Sequence, residues 1–116
     1  MKTLILTFSI LISVNTFATT QFECVGTEPF WSLKTTDKMI KIQDPINLKG
    51  DSLEIISRKS AAQTSEDYAT VIKSKYISLS ILRGECNDGM SDEIYNFSVI
   101  VDKGDTVLAG CCNPIK

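Results

Sequence analysis

The stretch RGECNDGMSDE, residues 83–93, decides how this chain is organised. It places Cys86 and several small polar residues between two segments whose apolar and polar side chains alternate as in strands. A second cysteine-bearing segment, GCC at residues 110–112, is its natural covalent partner. We predict that a disulfide joins these two places and that the rest of the domain folds around the joint.

The chain has four cysteines, Cys24, Cys86, Cys111 and Cys112, and four cysteines allow three disulfide pairings. A bond between the neighbours Cys111 and Cys112 would close a strained ring, so we set that pairing aside. Of the other two we favour Cys86–Cys111 with Cys24–Cys112. Adjacent strand residues point to opposite faces, and the final hairpin alone does not decide between Cys111 and Cys112. Because the C-x-x-C spacing typical of metal and redox thiols is absent, the cysteines are predicted to be structural staples.

Several short segments alternate apolar and polar side chains with a period of two, and turn signals separate them. The alternation is clearest in residues 30–35, 76–82 and 94–102. No segment shows a convincing helical period. About eight short strands with turns between them predict an all-β fold, a small antiparallel β-barrel or sandwich stapled by disulfides.

The first eighteen residues are predicted to be a cleaved export signal. Lys2 supplies the positive start, residues 4–14 are mostly apolar, and Ala18 ends a run suited to cleavage. The apolar run is shorter than the roughly 20 residues of a membrane span. No cysteine stands at the cleavage point, so no stable membrane anchor is expected. The mature product is then one β domain, residues 19–116, that is periplasmic or secreted.

Charge and composition exclude several classes of partner. The chain has 12 basic and 14 acidic side chains, a formal net charge of −2, and cleavage would also remove Lys2. Without a basic stripe, nucleic acid is an improbable partner, and no polybasic cluster points to an anionic membrane surface. We expect a monomer whose partner is an envelope protein or a small ligand.

Three segments together resemble a known family: GTEPFW at residues 26–31, CNDGMSD at 86–92 and GCC at 110–112. They look like the bacterial secreted and lipoprotein-type domains with G-x-E-P-x-W, C-x-D-G-M-S-D and G-C-C motifs, which often accompany META-type heat-shock lipoprotein domains. The resemblance implies an envelope location and a β-rich domain, and it implies no activity. Members of the family often carry a lipobox, which this chain lacks.

The residue types argue against catalysis. The chain has no histidine, so the commonest general base is missing, and paired cysteines would remove the best nucleophile. Ser91 beside Asp92 is the one candidate pair, but such residues in a turn usually bond their own backbone amides. Asn87, Asp88, Asp92 and Glu93 lack the register of a calcium loop. We therefore expect no enzyme, no metal and no cofactor.

Trp31 allows two interpretations. It is either part of a recognition surface, since tryptophan is common at binding hot spots, or a plug that closes the barrel, with Glu28 bonded to backbone amides of a nearby loop. We favour the plug and keep the binding hypothesis open. The candidate binding residues are those of the two motif loops: Glu28, Trp31, Asp88, Met90, Ser91 and Asp92.

The sequence favours a binding function over any other. If the motif loops 26–31 and 87–92 meet at one end of the barrel, they present a shared recognition surface. The alternative is a periplasmic inhibitor of an envelope-degrading enzyme such as lysozyme, because a net acidic protein suits a basic target. That alternative depends on analogy at the level of the fold.

Overall fold

A computed structural model describes residues 7, 19–27, 30–62, 68–89 and 92–115. The predicted export signal, residues 1–18, lies outside these ranges except for Thr7. The described residues form eight strands: β1 (Phe22–Thr27), β2 (Phe30–Thr35), β3 (Met39–Gln43), β4 (Asp51–Ser60), β5 (Ala69–Ser74), β6 (Ser78–Asn87), β7 (Ile94–Asp102) and β8 (Val107–Pro114). Each strand pairs antiparallel with the next, and β8 pairs with β1. The result is a closed barrel, which confirms the predicted fold class.

The period-two alternation sets which side chains fill the barrel. On β7, Phe97, Val99 and Val101 are buried whereas Ile100 between them is exposed. Phe22 of β1 meets Phe97 edge to face, with ring centroids 5.1 Å apart. The core contains inward-facing side chains from six strands: Phe22, Trp31, Leu33, Ile40, Ile72, Leu79, Ile81, Phe97, Val99 and Val101. The alternation in residues 30–35, 76–82 and 94–102 therefore identifies the buried faces of β2, β6 and β7.

Both favoured disulfides are present, and they pair all four cysteines. Cys24 and Cys112 lie directly opposite each other on β1 and β8, with Cα atoms 4.0 Å apart, so this bond closes the seam of the barrel. Cys86 and Cys111 join β6 to β8 across the intervening strand β7. Two disulfides are consistent with an oxidising compartment.

The central stretch differs from expectation in one respect. Strand β6 continues to Asn87, so the first half of residues 83–93 is strand rather than turn. A bulge between Arg83 and Cys86 shifts the pairing with β7 and lets the strand bend. Beyond it, the Asn87 side-chain oxygen accepts a hydrogen bond of 2.7 Å from the Gly89 amide, as expected of a turn-forming residue.

Arg58 ties β4 to the residues that precede β1 and follow β2. A bulge between Ile55 and Ser57 brings Arg58 opposite Ile72, which is buried. The guanidinium donates to the Thr20 carbonyl oxygen at 3.2 Å, to Gln21 Oε1 at 3.2 Å and to the Thr36 carbonyl oxygen at 2.9 Å. Burial lowers the pKa of Arg58, and nearby Asp37 opposes that shift.

Candidate functional site

Trp31 occupies a space that two glycines leave open. It lies opposite Gly26 on β1, and a Cβ at position 26 would overlap the indole at Nε1. A Cβ at Gly110 on β8 would overlap the Val25 carbonyl oxygen and lie 2.7 Å from Trp31 Cζ2. Trp31 is only 5% exposed. The glycines of the GTEPFW and GCC segments therefore make room for the tryptophan, which agrees with the plug interpretation.

The Cys86–Cys111 disulfide fixes the end of the β6–β7 hairpin against β8. Cys86 is paired with Tyr95 on β7, while Cys111 is paired with Ser98, three residues further along that strand. A bond between them therefore requires the hairpin end to fold back, and the bulge after Arg83 provides the bend. The sulfur of Cys86 also lies 3.5 Å from the Gly110 carbonyl oxygen. The hairpin end thus comes beside Gly110 and the glycine-lined space around Trp31.

A cavity of about 420 Å³ opens at this place, and we call it the tryptophan cleft. Three parts of the chain contribute to it: the β1–β2 hairpin, the β3–β4 loop and the end of the β6–β7 hairpin. Its described lining residues are Val25, Gly26, Thr27, Phe30, Trp31, Ser32, Gln43, Asp44, Pro45, Leu48, Asp88 and Tyr95. Phe30 is 51% and Leu48 77% exposed, so large apolar side chains face solvent at the cleft. Its volume lies in the usual range for small-molecule sites.

Two carboxylates accompany the aromatic walls. Asp44 accepts hydrogen bonds from the amides of Ile46 (2.9 Å) and Asn47 (2.7 Å), so its own turn holds it in place. Asp88 accepts a long contact of 3.4 Å from the Tyr95 hydroxyl, which also lies 3.4 Å from Glu93 Oε2. Burial raises the pKa of Tyr95, and the charges of Glu93 and Asp88 raise it further. Tyr95 therefore stays a neutral hydrogen-bond donor at physiological pH.

A second cavity of about 370 Å³ lies next to the tryptophan cleft. The cysteines Cys86 and Cys111 line it, and it shares Val25, Gly26, Thr27 and Asp88 with the cleft. The disulfide is therefore part of the same surface region as the aromatic walls.

The structure brings some of the predicted site residues together. Trp31 and Asp88, from the two motif loops, both line the tryptophan cleft. Asp92 is exposed and does not line it. Glu28, Met90 and Ser91 lie outside the described residues, so their predicted roles stay predictions.

Sequence reasoning missed the contribution of the β3–β4 loop. Asp44 and Pro45 of this loop and the half-buried Tyr95 of β7 all line the cleft, and none of the three is among the candidate residues named from the sequence. The available signal was the loop sequence DPINLKG, residues 44–50, which carries two large apolar residues between turn formers. Both of them, Ile46 and Leu48, are exposed.

The part of the chain that the structure describes offers neither a metal-binding cluster nor a membrane-spanning helix. Among those residues, no three histidine, cysteine or acidic side chains group so as to hold a metal ion. Within the same ranges, no helix has the length and apolar character needed to cross a membrane.

Comparison with known proteins gives no relative from which to transfer a function. No family model matches the chain, and neither a curated protein nor a solved structure matches it.

Proposed function

We propose that this protein is an exported binding module of the bacterial envelope that uses the tryptophan cleft to hold its ligand. The observation that carries the proposal is the meeting of three separate chain segments around one apolar cavity of about 420 Å³. Concave sites with apolar walls and a few fixed polar groups are the usual form of small-molecule sites. No general base of the histidine type exists in the chain, so binding is favoured over catalysis.

Export to the periplasm or the exterior is part of the proposal. The two disulfides support it, because such bonds persist in oxidising compartments and are rare in the cytosol. A relationship to the bacterial envelope domains that carry the same three motifs is likewise proposed. It is supported by the physical link between two of the motifs, since Gly26 and Gly110 both make room for Trp31.

The test compares what the protein retains from an envelope extract. Purified wild-type protein, a Phe30→Ala/Leu48→Ala variant and a Tyr76→Ala control are each equilibrated with the extract, and retained molecules are identified by mass spectrometry. Tyr76 is a suitable control because it is 66% exposed and does not line the cleft. We expect molecules that bind to the wild type and the control and are lost from the cleft variant. Identical retention by all three proteins would overturn the proposal.

Inhibition of a basic envelope-degrading enzyme such as lysozyme is the second candidate. The observation that favours it is the end of the β6–β7 hairpin, where the carboxylates of Glu85, Asp88, Asp92 and Glu93 fall within one short segment. Complementary charge accelerates the association of such partners. A lysozyme activity assay tests it directly, and full activity at micromolar concentrations of this protein would rule it out.

A further inference from the structure

We propose that the ligand of the tryptophan cleft is a small organic cation whose charge is surrounded by apolar groups, as in an alkylammonium compound. This inference rests on the proposed binding function and names its ligand class. It depends on three features of the same cavity: its aromatic walls, the sign of its charge, and its size.

The aromatic side chains Phe30, Trp31 and Tyr95 come from two different hairpins and line one cavity. The faces of aromatic rings carry partial negative charge and attract cations, and tryptophan does so best. A ligand with an apolar surface also gains from contact with Leu48 and Pro45, which complete the apolar walls. An open cleft with three aromatic rings in its walls suits a cation that carries methyl or other alkyl groups.

The charged residues of the cleft have one sign. Asp44 and Asp88 line it, and none of the lining residues that the structure describes is a lysine or an arginine. An anionic ligand would meet like charge. A neutral apolar ligand would remove water from the carboxylates without replacing the lost interactions, which is unfavourable. A cation is attracted by both carboxylates.

A compact metal cation does not fit the same walls. Hard cations need about six or more oxygen ligands, and the described residues contain no group of three candidate ligand side chains. The apolar walls would strip the hydration shell without offering oxygens in exchange. An alkylammonium ion is weakly hydrated and needs no such ligand set. The cavity of about 420 Å³ also has room for an organic molecule.

Trp31 is the only tryptophan of the chain, so its fluorescence reports on the cleft directly. The probes are choline and the alcohol in which a tert-butyl group replaces the trimethylammonium group, which has nearly the same shape without the charge. Each is titrated into the protein at constant ionic strength. We expect a saturable change in Trp31 fluorescence with choline, at a dissociation constant about tenfold below that of the neutral alcohol.

Variants that remove one negative charge test whether the preference for choline depends on the carboxylates of the cleft. Asp44→Asn and Asp88→Asn keep a side-chain oxygen for the hydrogen bonds from the Ile46 and Asn47 amides and from Tyr95. Each is expected to weaken choline binding about three- to tenfold. The neutral alcohol is expected to bind at least as well as to the wild type, because an amide loses less than a carboxylate when water is removed from it. Asp105→Asn removes the same charge from an exposed turn that does not line the cleft, and it is expected to bind choline like the wild type. A matching melting temperature shows that each variant is folded.

Equal or tighter binding of the neutral alcohol would overturn the cation inference and leave the cleft as an apolar binding site, so the proposed function would stand. A lack of saturable change with either probe would also overturn it, and the extract experiment would then decide the proposed function by itself. Weakening by Asp105→Asn as large as that by Asp88→Asn would show that overall charge, rather than the cleft, causes the preference.

Discussion

The indole of Trp31 lies where the side chain of any larger residue at Gly26 would have to be. The two residues are paired across β1 and β2, and a Cβ at position 26 would overlap Nε1 and lie 2.8 Å from Cδ1. The tryptophan is therefore both part of the barrel core and the inner wall of the cleft. Its position depends on the absence of a side chain at Gly26.

Gly26→Ala is expected to destabilise the protein by about 1–3 kcal/mol, because extra volume in a packed core forces side chains or backbone to move. The cost is expected to fall in a Trp31→Phe background, where the smaller ring vacates the space. Urea unfolding of the wild type, both single variants and the double variant measures this coupling. An equal cost of Gly26→Ala in both backgrounds would show that the indole is not what excludes the methyl group.

Replacement of Cys86 and Cys111 by alanine is expected to release the end of the β6–β7 hairpin while the barrel remains closed. The lost bond spans 25 residues, which corresponds to about 3.5 kcal/mol of unfolding free energy in the chain-entropy model. Because Asp88 and Tyr95 would no longer be held beside Trp31, acrylamide is expected to quench its fluorescence more strongly. Unchanged quenching would show that the hairpin holds its position without the disulfide.

The matched control replaces the other pair, Cys24 and Cys112. This bond spans 88 residues and lies in the core, so a larger loss of stability is expected, about 4–5 kcal/mol from the chain-entropy estimate alone. A larger loss from the Cys86–Cys111 variant than from this one would contradict the assigned roles of the two bonds.

Tyr95 is expected to ionise at higher pH than an ordinary tyrosine, because burial and the charges of Glu93 and Asp88 raise its pKa. Its folded pKa is above the unfolded value of 10.0. Its contribution to the unfolding free energy is thus fully present below that pH and is lost as pH rises through the folded pKa. Ultraviolet titration of tyrosinate is expected to show a late component that Tyr95→Phe removes. A late component that survives in Tyr95→Phe would assign the shift to another tyrosine.

Arg58→Ala is expected to destabilise the barrel by about 2 kcal/mol, since hydrogen bonds to a charged donor are lost and their acceptors must find water. The acceptors are the carbonyl oxygens of Thr20 and Thr36 and the side chain of Gln21. Thermal unfolding measures the change. Lys59→Ala, an exposed neighbour on the same strand, is the control and is expected to be nearly neutral. An equal loss of stability in the two variants would show that the hydrogen bonds of Arg58 do not stabilise the barrel.

The fold class, the approximate number of strands and the buried faces of several strands follow from the amino-acid pattern alone. Alternation in residues 76–82 and 94–102 reveals which side chains point inward, because successive side chains of a strand face opposite sides. The sequence also excluded a bond between the adjacent cysteines Cys111 and Cys112 and left two pairings, of which the favoured one is present in the structure. These are local properties, or properties of covalent chemistry, and they need no knowledge of which strands are neighbours.

The position of the tryptophan cleft and the residues that line it become apparent only in the folded barrel. Closure of the barrel brings Gly110 of β8 beside Trp31 of β2. The end of the β6–β7 hairpin contributes Tyr95 and Asp88 to the cleft. The β3–β4 loop, which is distant in sequence from the β6–β7 hairpin, contributes Asp44 and Leu48 to the same cavity. A strand pattern specifies the face on which a side chain lies, but not which distant segment will meet it. That meeting depends on strand register, on the bulge after Arg83 and on the cross-strand disulfide, which act only in the assembled barrel.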